Sequence, residues 1–318
     1  MATLVTGGTG FVGSNVVRLL AQAGTDVICF GTTPPDQLFR SYVAGWANRI
    51  TFVRGDVTRS ADVEQLAGER IHEIVHAAAF TGVLDGVERA KSASIVDVNV
   101  VGTTNLLELA RRIKLRRFVY VGSSAVYGEA ATGGPLTEEE PARPRSLYAV
   151  TKYAAELLVR RYAELFDLDA VTVRLGSPFG PMERVTGHRS NQSLIKQWTG
   201  NVVRGEPIDI ADPADKVRYQ YVVDAARGIM AVLHAENLSF DTYNDGTEIE
   251  GTAGGVCAAL REIVPTTQVN IRAEATSHDG KLLDCSRLRN DLGFFPTYDL
   301  PTGLREYVEW RVATGFLE

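Results

Sequence analysis

The chain has 318 residues, of which 45% are hydrophobic and 23% are charged, and its formal net charge is −6 at pH 7. These values are typical of a globular protein with a sizeable core, and the acidic balance argues against a nucleic-acid partner. No stretch approaches the roughly 18 apolar residues of a membrane span. The three cysteines and five histidines lack the spacing of a disulfide framework or a zinc site. We therefore expect a cytoplasmic protein without a metal, membrane or nucleic-acid partner.

Short apolar runs alternate with longer amphipathic runs along the first half of the chain. The predicted elements are a strand at 3–6, a helix at 11–23, strands at 26–30, 50–53 and 73–76, a helix at 94–113, a strand at 117–121, a helix at 148–166 and a strand at 170–175. Apolar strands that do not alternate and are separated by helices indicate a parallel sheet covered on both faces. The sequence therefore predicts an α/β protein with a Rossmann-type doubly wound sheet.

The pattern becomes less regular after residue 177. Loops and one helix are predicted for 178–215, followed by a strand at 221–223 and helices at 225–234 and 302–311. We predict a nucleotide-binding Rossmann domain over residues 1–176, to which a segment near 217–235 returns, and a smaller C-terminal substrate-binding portion formed by 177–216 and 236–318.

Four glycines occur within seven residues, from the turn after the first predicted strand into the start of the first predicted helix. Glycine inside regular structure is destabilising, so such a cluster indicates that the backbone must approach another group closely. In this position the turn lets backbone N–H groups approach a pyrophosphate at the helix N-terminus. A tight turn without a ligand is the alternative. The residues predicted to bind a dinucleotide here are Gly7, Thr9, Gly10, Phe11, Val12 and Gly13.

Further motifs follow in order along nearly the whole chain. They are GDV at 55–57, HAAA at 76–79, NVVGTTNLLE at 99–108, SSAVYG at 123–128, YAVTK at 148–152, RLGSPFGP at 174–181 and LGFFP at 292–296. With the TGxxGxxG turn, the chain resembles the extended short-chain dehydrogenase/reductase family, which contains NAD(P)-dependent nucleotide-sugar epimerases, dehydratases and reductases. The resemblance implies that Asp56 and Val57 border the adenine, that Ala77, Ala78 and Ala79 line the cofactor groove, and that Asn99 supports the active-site backbone. His76 is expected to be packed rather than catalytic.

The end of the second predicted strand bears on the choice of cofactor. Family members that use NAD usually have an Asp there, whose carboxylate binds the ribose hydroxyls, but this chain has Gly31. Without that carboxylate a 2′-phosphate is not repelled, and Thr32 and Thr33 offer donors to it. We expect NADP or NAD as the cofactor, with a lean towards NADP.

Ser123, Tyr148 and Lys152 are the predicted catalytic residues. Hydride transfer at a carbon that bears oxygen requires a proton to move on that oxygen, but a free tyrosine, with a pKa of about 10, is a poor base. A lysine four residues later lies on the same helical face and can favour the phenolate. The resemblance adds that Tyr148 and Lys152 also contact the cofactor and that Ser123 binds the substrate oxygen.

The residues that follow Ser123 bear on the type of reaction. The 4,6-dehydratases of the family carry Asp-Glu immediately after this serine, whereas this chain has Ser124 and Ala125. Neither side chain can act as a carboxylate acid or base, so dehydration by that mechanism is not expected. Reduction, oxidation and epimerisation all remain open.

The segment after the sixth predicted strand is expected to face the substrate. Many members have Asn at the position of Ser177, where it contacts the diphosphate of a nucleotide sugar. The loop at 182–192 could bind an anionic group through its cations, although a solvated polar loop is the alternative. The predicted substrate-binding residues are Ser124, Ser177, Arg184, Arg189 and Arg218, the last by resemblance to a phosphate-binding arginine of epimerases.

The sequence thus predicts an NAD(P)-dependent epimerase or oxidoreductase that acts on a sugar or nucleotide sugar. The first alternative is a dehydrogenase of a sugar acid or another small anionic hydroxy compound. The second is a non-catalytic NAD(P)-binding regulatory module. The resemblance also implies a homodimer that pairs through the helices near 94–113 and 148–166.

Overall fold

The computed structural model of the protein describes residues 1–82, 84–129, 134–190, 192–275 and 280–317. Its strands are β1 (Ala2–Thr6), β2 (Asp26–Gly31), β3 (Ile50–Arg54), β4 (Ile71–His76), β5 (Arg117–Ser123), β6 (Ala170–Leu175), β7 (Pro178–Phe179), β8 (Ile208–Ile210), β9 (Lys216–Val217), β10 (Gln220–Tyr221), β11 (Thr242–Asp245), β12 (Gly251–Thr252) and β13 (Val269–Ile271). Its helices are α1 (Phe11–Gln22), α2 (Gln37–Tyr42), α3 (Ser60–Glu64), α4 (Asp85–Val96), α5 (Gly102–Ala110), α6 (Leu147–Phe166), α7 (Leu194–Arg204), α8 (Val222–His234), α9 (Ala253–Ile263), α10 (Ser286–Leu292) and α11 (Leu300–Thr314). A π-helical turn, Asp97–Val101, joins α4 to α5.

Seven of the described strands form one parallel sheet in the order β11-β6-β5-β4-β1-β2-β3. The chain moves outward from β1 to β3 and then returns to the other side of β1 with β4. The strand order therefore reverses between β1 and β4, which is the point where doubly wound sheets bind their ligands. The predicted Rossmann-type fold is confirmed.

Two hydrophobic cores cover the two faces of this sheet. Leu4 of β1 packs into a cluster with Leu106 of α5, whereas its neighbour Val5 packs into a second cluster with Val16 of α1. Adjacent residues of one strand point to opposite faces, so a strand buried on both sides needs apolar residues at successive positions. This explains why the central strands are continuous apolar runs in the sequence.

A third core lies outside the sheet and is formed mainly by α7, α9 and α11, with Ile195, Leu260 and Tyr307 among its fully buried residues. The carboxylate of Asp224, on α8, accepts hydrogen bonds from the backbone N–H groups of Thr297 and Tyr298 at 2.9 and 2.8 Å, which fixes the segment before α11. The division into a Rossmann domain and a substrate-binding portion stays a prediction.

Several elements differ from the prediction, and helices α2, α3, α9 and α10 and strands β7, β8, β9, β12 and β13 were not predicted. The helix predicted at 94–113 begins at Asp85 and ends at Ala110, and it contains the π-helical turn. The strand predicted at 221–223 ends at Tyr221, because α8 begins at Val222. The seventh strand, β11, was not predicted because its sequence TYND is mostly polar, and hydrogen bonds from Tyr127 and Gln220 hold its Asn244 and Asp245 side chains inside the protein.

No helix in the described part of the chain is long and apolar enough to cross a membrane.

Candidate active site

A groove of about 1300 Å³ opens at the carboxyl edge of the sheet. Its walls come from the glycine turn, the segments that follow β2, β4 and β5, the first turns of α6, and the loop before α7. This volume exceeds the roughly 300–1,000 Å³ of ordinary small-molecule pockets. Of the residues predicted for the site, Asn99 and Arg218 are not among the described residues that line the groove, and the others are.

The glycine turn and the alanine segment after β4 pack backbone against backbone. Gly7 has a positive φ of 65°, and a Cβ there would lie 2.8 Å from the Cα of Ala78. A Cβ at Gly13 would overlap the carbonyl oxygen of Gly7. Helix α1 begins after Gly10 with no cap from a described side chain, so its first N–H groups face the groove. These residues fit the diphosphate of a dinucleotide.

The end of β2 leaves room in the groove. A Cβ at Gly31 would meet no described atom within 4 Å. The hydroxyl of Thr9 donates to the carbonyl oxygen of Thr33 at 3.1 Å, which ties the glycine turn to this segment. A nearby carboxylate that was not predicted, that of Asp36, lines the groove and also caps α2 by accepting from the backbone N–H of Phe39 at 2.9 Å.

Asp56 and Val57 are held in place by polar contacts that shape the loop after β3. The Asp56 carboxylate accepts from the backbone N–H and the hydroxyl of Thr58, both at 2.9 Å. The carbonyl oxygen of Val57 accepts from the side-chain amide of Asn105 at 2.8 Å. Both residues line the groove, and their place beside the adenine stays a prediction.

Asn99 lies in the π-helical turn and is only 1% exposed. Its side-chain oxygen accepts from the backbone N–H of Phe80 at 2.7 Å, and its amide donates to the Phe80 carbonyl at 3.1 Å and to the Thr151 hydroxyl at 3.0 Å. Asn99 therefore joins the segment after β4 to helix α6. His76 is packed between the hydroxyls of Thr6 and Thr103, and burial lowers its pKa to about 3, so it is neutral.

Tyr148 and Lys152 lie in the first two turns of α6, whose N-terminus is capped by Ser146. Burial raises the pKa of Tyr148 above its ordinary value, whereas a hydrogen bond with the Ser123 side chain and the positive charge of Arg189 lower it. Burial lowers the pKa of Lys152 to about 7, although Glu156 raises it. Ser123, Tyr148 and Lys152 all line the groove.

Three carboxylates line the described part of the groove, and each has a partner. Asp36 pairs with Arg184, and Glu129 pairs with Arg145 at 2.5 Å. Asp56 binds Thr58, as described above. None of them stands at the positions directly after Ser123.

The predicted substrate-binding residues lie in different places. Ser124 is buried beneath the groove, and Ser177 lines it close to Gly280. Arg218 pairs with Glu250, its Nε 2.9 Å from the carboxylate, and its predicted role stays a prediction.

The loop before α7 is organised around a fully buried carboxylate, that of Glu183. Glu183 accepts from the backbone N–H and the hydroxyl of Ser193, both at 2.7 Å, and pairs with Arg189 at 3.1 Å. The Arg189 guanidinium also lies 4.9 Å from the ring centroid of Phe11. Asn191 of this loop lies outside the described residues.

Two cations in the groove were missed by sequence analysis. Arg145 lies just before α6, and Lys281 donates a hydrogen bond from Nζ to the carbonyl oxygen of Gly128. Neither residue belongs to a motif, and no signal in the sequence distinguishes them from other surface cations. Lys281 thus adds a cation to the groove, whereas Arg145 is paired with Glu129, which also lines it.

The fold and the groove together define a doubly wound nucleotide-binding enzyme. The family model described as "NAD dependent epimerase/dehydratase family" matches residues 3–246. The chain belongs to this family, within the extended short-chain dehydrogenases/reductases, and the predicted enzyme class is confirmed.

Individual relatives match over the whole chain. A dTDP-glucose 4,6-dehydratase of Streptomyces niveus is 31% identical, and the match covers 98% of this chain and 92% of that protein. The UDP-glucose 4-epimerase of Thermus thermophilus, solved with NAD, has a TM-score of 0.80 at 27% identity and covers 97% of this chain and 98% of that one. A dTDP-glucose 4,6-dehydratase of Bacillus anthracis, also solved with NAD, has a TM-score of 0.81 at 26% identity, with 98% and 97% covered.

Proposed function

We propose that the protein is a nucleotide-sugar epimerase that binds NAD or NADP in the groove and uses Ser123, Tyr148 and Lys152 as its catalytic residues. The observation that carries this proposal is the position of Tyr148. Its side chain faces the groove and is hydrogen-bonded to Ser123, and the positive charge of Arg189 lowers its pKa. A tyrosine in that setting can lose and regain a proton beside a bound ligand.

The reaction we propose is oxidation of one substrate carbinol followed by reduction from the other face. The dinucleotide, when bound, would accept the hydride and return it. Tyr148 takes the proton of the substrate hydroxyl in the first half of the reaction and gives it back in the second half. When substrate is bound, Ser123 donates its one hydroxyl proton to the same substrate oxygen instead of to Tyr148, which keeps that oxygen close to Tyr148.

The environment of Tyr148 supports a role as acid and base. Burial alone would keep the phenol protonated, since it disfavours the charged form. The cation of Arg189 and the hydrogen bond from Ser123 oppose that effect by stabilising the phenolate. Lys152 holds its amine at the end of β5, where it would contact the ribose beside the reacting ring.

A nucleotide sugar is the substrate class that the groove and the relatives favour. The names of two relatives identify them as enzymes of dTDP-glucose and UDP-glucose. In this chain Arg145, Arg189 and Lys281 line the groove and can bind an anionic substrate group. Arg189 and Lys281 both belong to the predicted substrate-binding portion.

Dehydration is the less favoured reaction although several relatives are dehydratases. Removal of water from the sugar needs an acid and a base near the reacting carbons. Ser124 and Ala125 supply neither, and the carboxylates that line the described groove are engaged by Arg184, Thr58 and Arg145. We therefore infer that the hydride is returned without loss of water.

The test compares wild type with Tyr148→Phe, which removes one oxygen atom. Turnover of UDP-glucose and of dTDP-glucose is followed by NMR, and we expect the variant to lose about 10²–10⁴-fold. Tyr153→Phe on the same helix is the matched control, because Tyr153 is not among the described residues that line the groove. Tyr148→Phe that turns over as fast as wild type would exclude the proposed site.

The same assay separates the reaction types. An epimerase forms product with far less cofactor than substrate, whereas a dehydrogenase of a sugar acid shows steady reduction of added NAD or NADP. The dehydrogenase is kept as a second candidate because Arg189 and Lys281 could bind a substrate carboxylate. A 4-keto-6-deoxy product would instead show that the chain dehydrates its substrate.

A further inference from the structure

Arg184 lies at the cofactor end of the groove, although its position in the sequence suggests a contact with substrate. Its Nη1 pairs with the carboxylate of Asp36, and its Nη2 donates to the carbonyl oxygen of Thr9 at 3.2 Å. Thr9 belongs to the glycine turn, and Asp36 follows β2. The Arg184 side chain is only 12% exposed, whereas that of its partner Asp36 is 49% exposed, so the guanidinium is packed inside the rim of the groove.

Residues 181–190, which we call the crossing loop, are attached to both sides of the groove. On the glycine-turn side, Asn15 of α1 donates to the carbonyl oxygen of Pro181 at 3.1 Å. On the other side, the backbone N–H of Thr81, after β4, donates to the carbonyl oxygen of His188 at 2.7 Å. The crossing loop thus passes over the point between β1 and β4 where the strand order reverses.

The cations that line the described groove are not equivalent. Arg189 acts on Tyr148, and Lys152 is held at the end of β5. Arg184 is the one whose guanidinium donates to the glycine turn. A guanidinium has five N–H donors, and the contacts with Asp36 and Thr9 use two of them.

We propose that Arg184 binds a phosphate of the dinucleotide, the bridging diphosphate, and so holds the cofactor under the crossing loop. Asp36 orients the guanidinium, and the backbone N–H of Phe39 fixes Asp36 in turn. The glycine turn offers only neutral N–H groups, so a nearby guanidinium adds charge-assisted hydrogen bonds to the same anion. Arg184 is therefore a cofactor-binding residue supplied by the crossing loop.

This proposal rests on the proposed function and sharpens it. An epimerase needs the same cofactor molecule in both halves of its reaction, whereas a dehydrogenase exchanges it at every turnover. A guanidinium that bridges the crossing loop and the diphosphate would slow cofactor release. Retention of the cofactor is what the epimerase requires.

The experiment measures release of NADH from the full-length protein without substrate. The protein is loaded with NADH, an excess of NAD is added, and the fall in NADH fluorescence gives the dissociation rate. Loss of a hydrogen-bonded charge predicts that Arg184→Ala releases NADH faster by about tenfold or more, with Arg184→Lys intermediate. Thermal melting without nucleotide shows whether each variant is folded. If Arg184→Ala is not folded, the release rate of Arg184→Lys is compared with that of wild type instead.

Arg40→Ala is the matched control. Arg40 lies on α2, four residues after Asp36, and donates to the carbonyl oxygen of Pro35 at 3.2 Å from an exposed position. Its removal takes the same charge from the same region, and we expect the NADH dissociation rate to stay that of wild type. An equal change in both variants would mean that general charge and not contact sets the rate, which would overturn the proposal.

A second arm uses NADPH to identify the phosphate. The bridging diphosphate is common to both cofactors, so Arg184→Ala should speed release of NADH and NADPH by the same factor. An effect on NADPH alone would place Arg184 at the 2′-phosphate and overturn the assignment. This experiment measures cofactor release and not turnover. A protein without epimerase activity whose Arg184→Ala variant still releases NADH faster would therefore overturn the proposed function but not this proposal.

Discussion

Lys152 donates a hydrogen bond from Nζ to the carbonyl oxygen of Val121 at 2.6 Å, so its amine is held against the end of β5. The amine also lies 4.2 Å from the ring centroid of Tyr120. One turn further along α6, Glu156 forms a buried ion pair with Arg174 at 2.6 Å. The proposed cofactor-binding lysine is therefore anchored between a strand end and a buried charge network.

This burial predicts how stability depends on pH. The pKa of Lys152 falls from 10.5 to about 7 on folding, so between these pH values the unfolded chain binds a proton that the folded protein does not. The contribution of Lys152 to the free energy of unfolding then rises with pH, by up to roughly 1.4 kcal/mol per unit. Below pH 7 the Lys152 amine is protonated in both the folded and the unfolded state. The folded protein then bears the full free-energy cost of burying the charged amine.

Lys152→Met should consequently be more stable than wild type below pH 7, and its advantage should shrink as the pH rises towards 10. Urea unfolding of both proteins at pH 6, 8 and 9.5 gives the difference. Lys114→Met removes an exposed lysine and should show a difference that does not vary with pH. A constant difference for Lys152→Met would mean that its amine titrates in the folded protein as it does in the unfolded chain.

Gly31→Asp tests the expectation that the protein prefers NADP to NAD. The space beside Gly31 holds no described atom within 4 Å of a new Cβ, so the side chain can enter without a clash. The carboxylate would accept from the ribose hydroxyls of NAD and repel the 2′-phosphate of NADP. We expect the ratio of NADP to NAD affinity to fall by about tenfold, which corresponds to about 1.4 kcal/mol.

Fluorescence titration with NADH and NADPH measures that ratio for wild type and variant. Gly45→Asp is the control, since a Cβ at Gly45 also meets no described atom within 4 Å and Gly45 is not among the described residues that line the groove. A wild-type protein that binds NADH far more tightly than NADPH would show that the lean towards NADP is wrong. The family model is one of NAD-dependent enzymes, and the two solved relatives hold NAD.

The sequence was informative where local pattern determines structure. The central strands are mainly apolar because both of their faces are covered, and the glycine turn can be recognised because its geometry excludes side chains. Ser123, Tyr148 and Lys152 could be selected because their motifs resemble those of a family. Each of these signals is contained within a few consecutive residues.

The parts of the fold and of the candidate site that could not be predicted depend on contacts between distant parts of the chain. Glu88 of α4 accepts from the backbone N–H of Leu147 at 2.6 Å and thereby supports the first turn of α6. The pairing of Arg184 with Asp36 joins residues separated by 148 positions. No periodicity or spacing encodes such contacts, because they follow from how the loops fold over the finished sheet. The strand β11 could not be predicted for the same reason, because its polar residues become buried only through tertiary hydrogen bonds.

The ion pair of Glu156 with Arg174 predicts that a substitution of nearly the same shape lowers the free energy of unfolding strongly. Both side chains are buried, and Nε and Nη2 of Arg174 bind the two carboxylate oxygens at 3.0 and 2.6 Å. Glu156→Gln keeps the shape but leaves a buried guanidinium without its counter-charge, which should cost about 3–5 kcal/mol of unfolding free energy. Urea unfolding at pH 7 measures this loss.

A surface pair on the same helix is the control for that experiment. Glu164 pairs with Arg161 at 2.7 Å, and both side chains are largely exposed. Glu164→Gln should change the unfolding free energy by no more than about 1 kcal/mol. Equal effects of the two substitutions would mean that the buried pair contributes no more than a solvated one.

The predicted homodimer can be tested on the exposed face of α6. Val150 and Leu157, seven residues apart, are 44% and 42% exposed and lie on the same side of the helix. Val96 and Val101, in the neighbouring helical segment that packs beside α6, are also exposed. A second copy of this face would cover all four side chains, as the resemblance to the family implies.

Light scattering of the wild-type protein should then give twice the 34.6 kDa of one chain. Leu157→Glu places a charge in the proposed interface, where it would be desolvated without a partner, and we expect it to shift the mass towards the monomer. Val312→Asp, which alters an exposed apolar residue of α11, should leave the mass of the wild-type protein unchanged. A wild-type monomer at micromolar concentration would show that the prediction of a homodimer is wrong, and a dimer unaffected by Leu157→Glu would place the interface elsewhere.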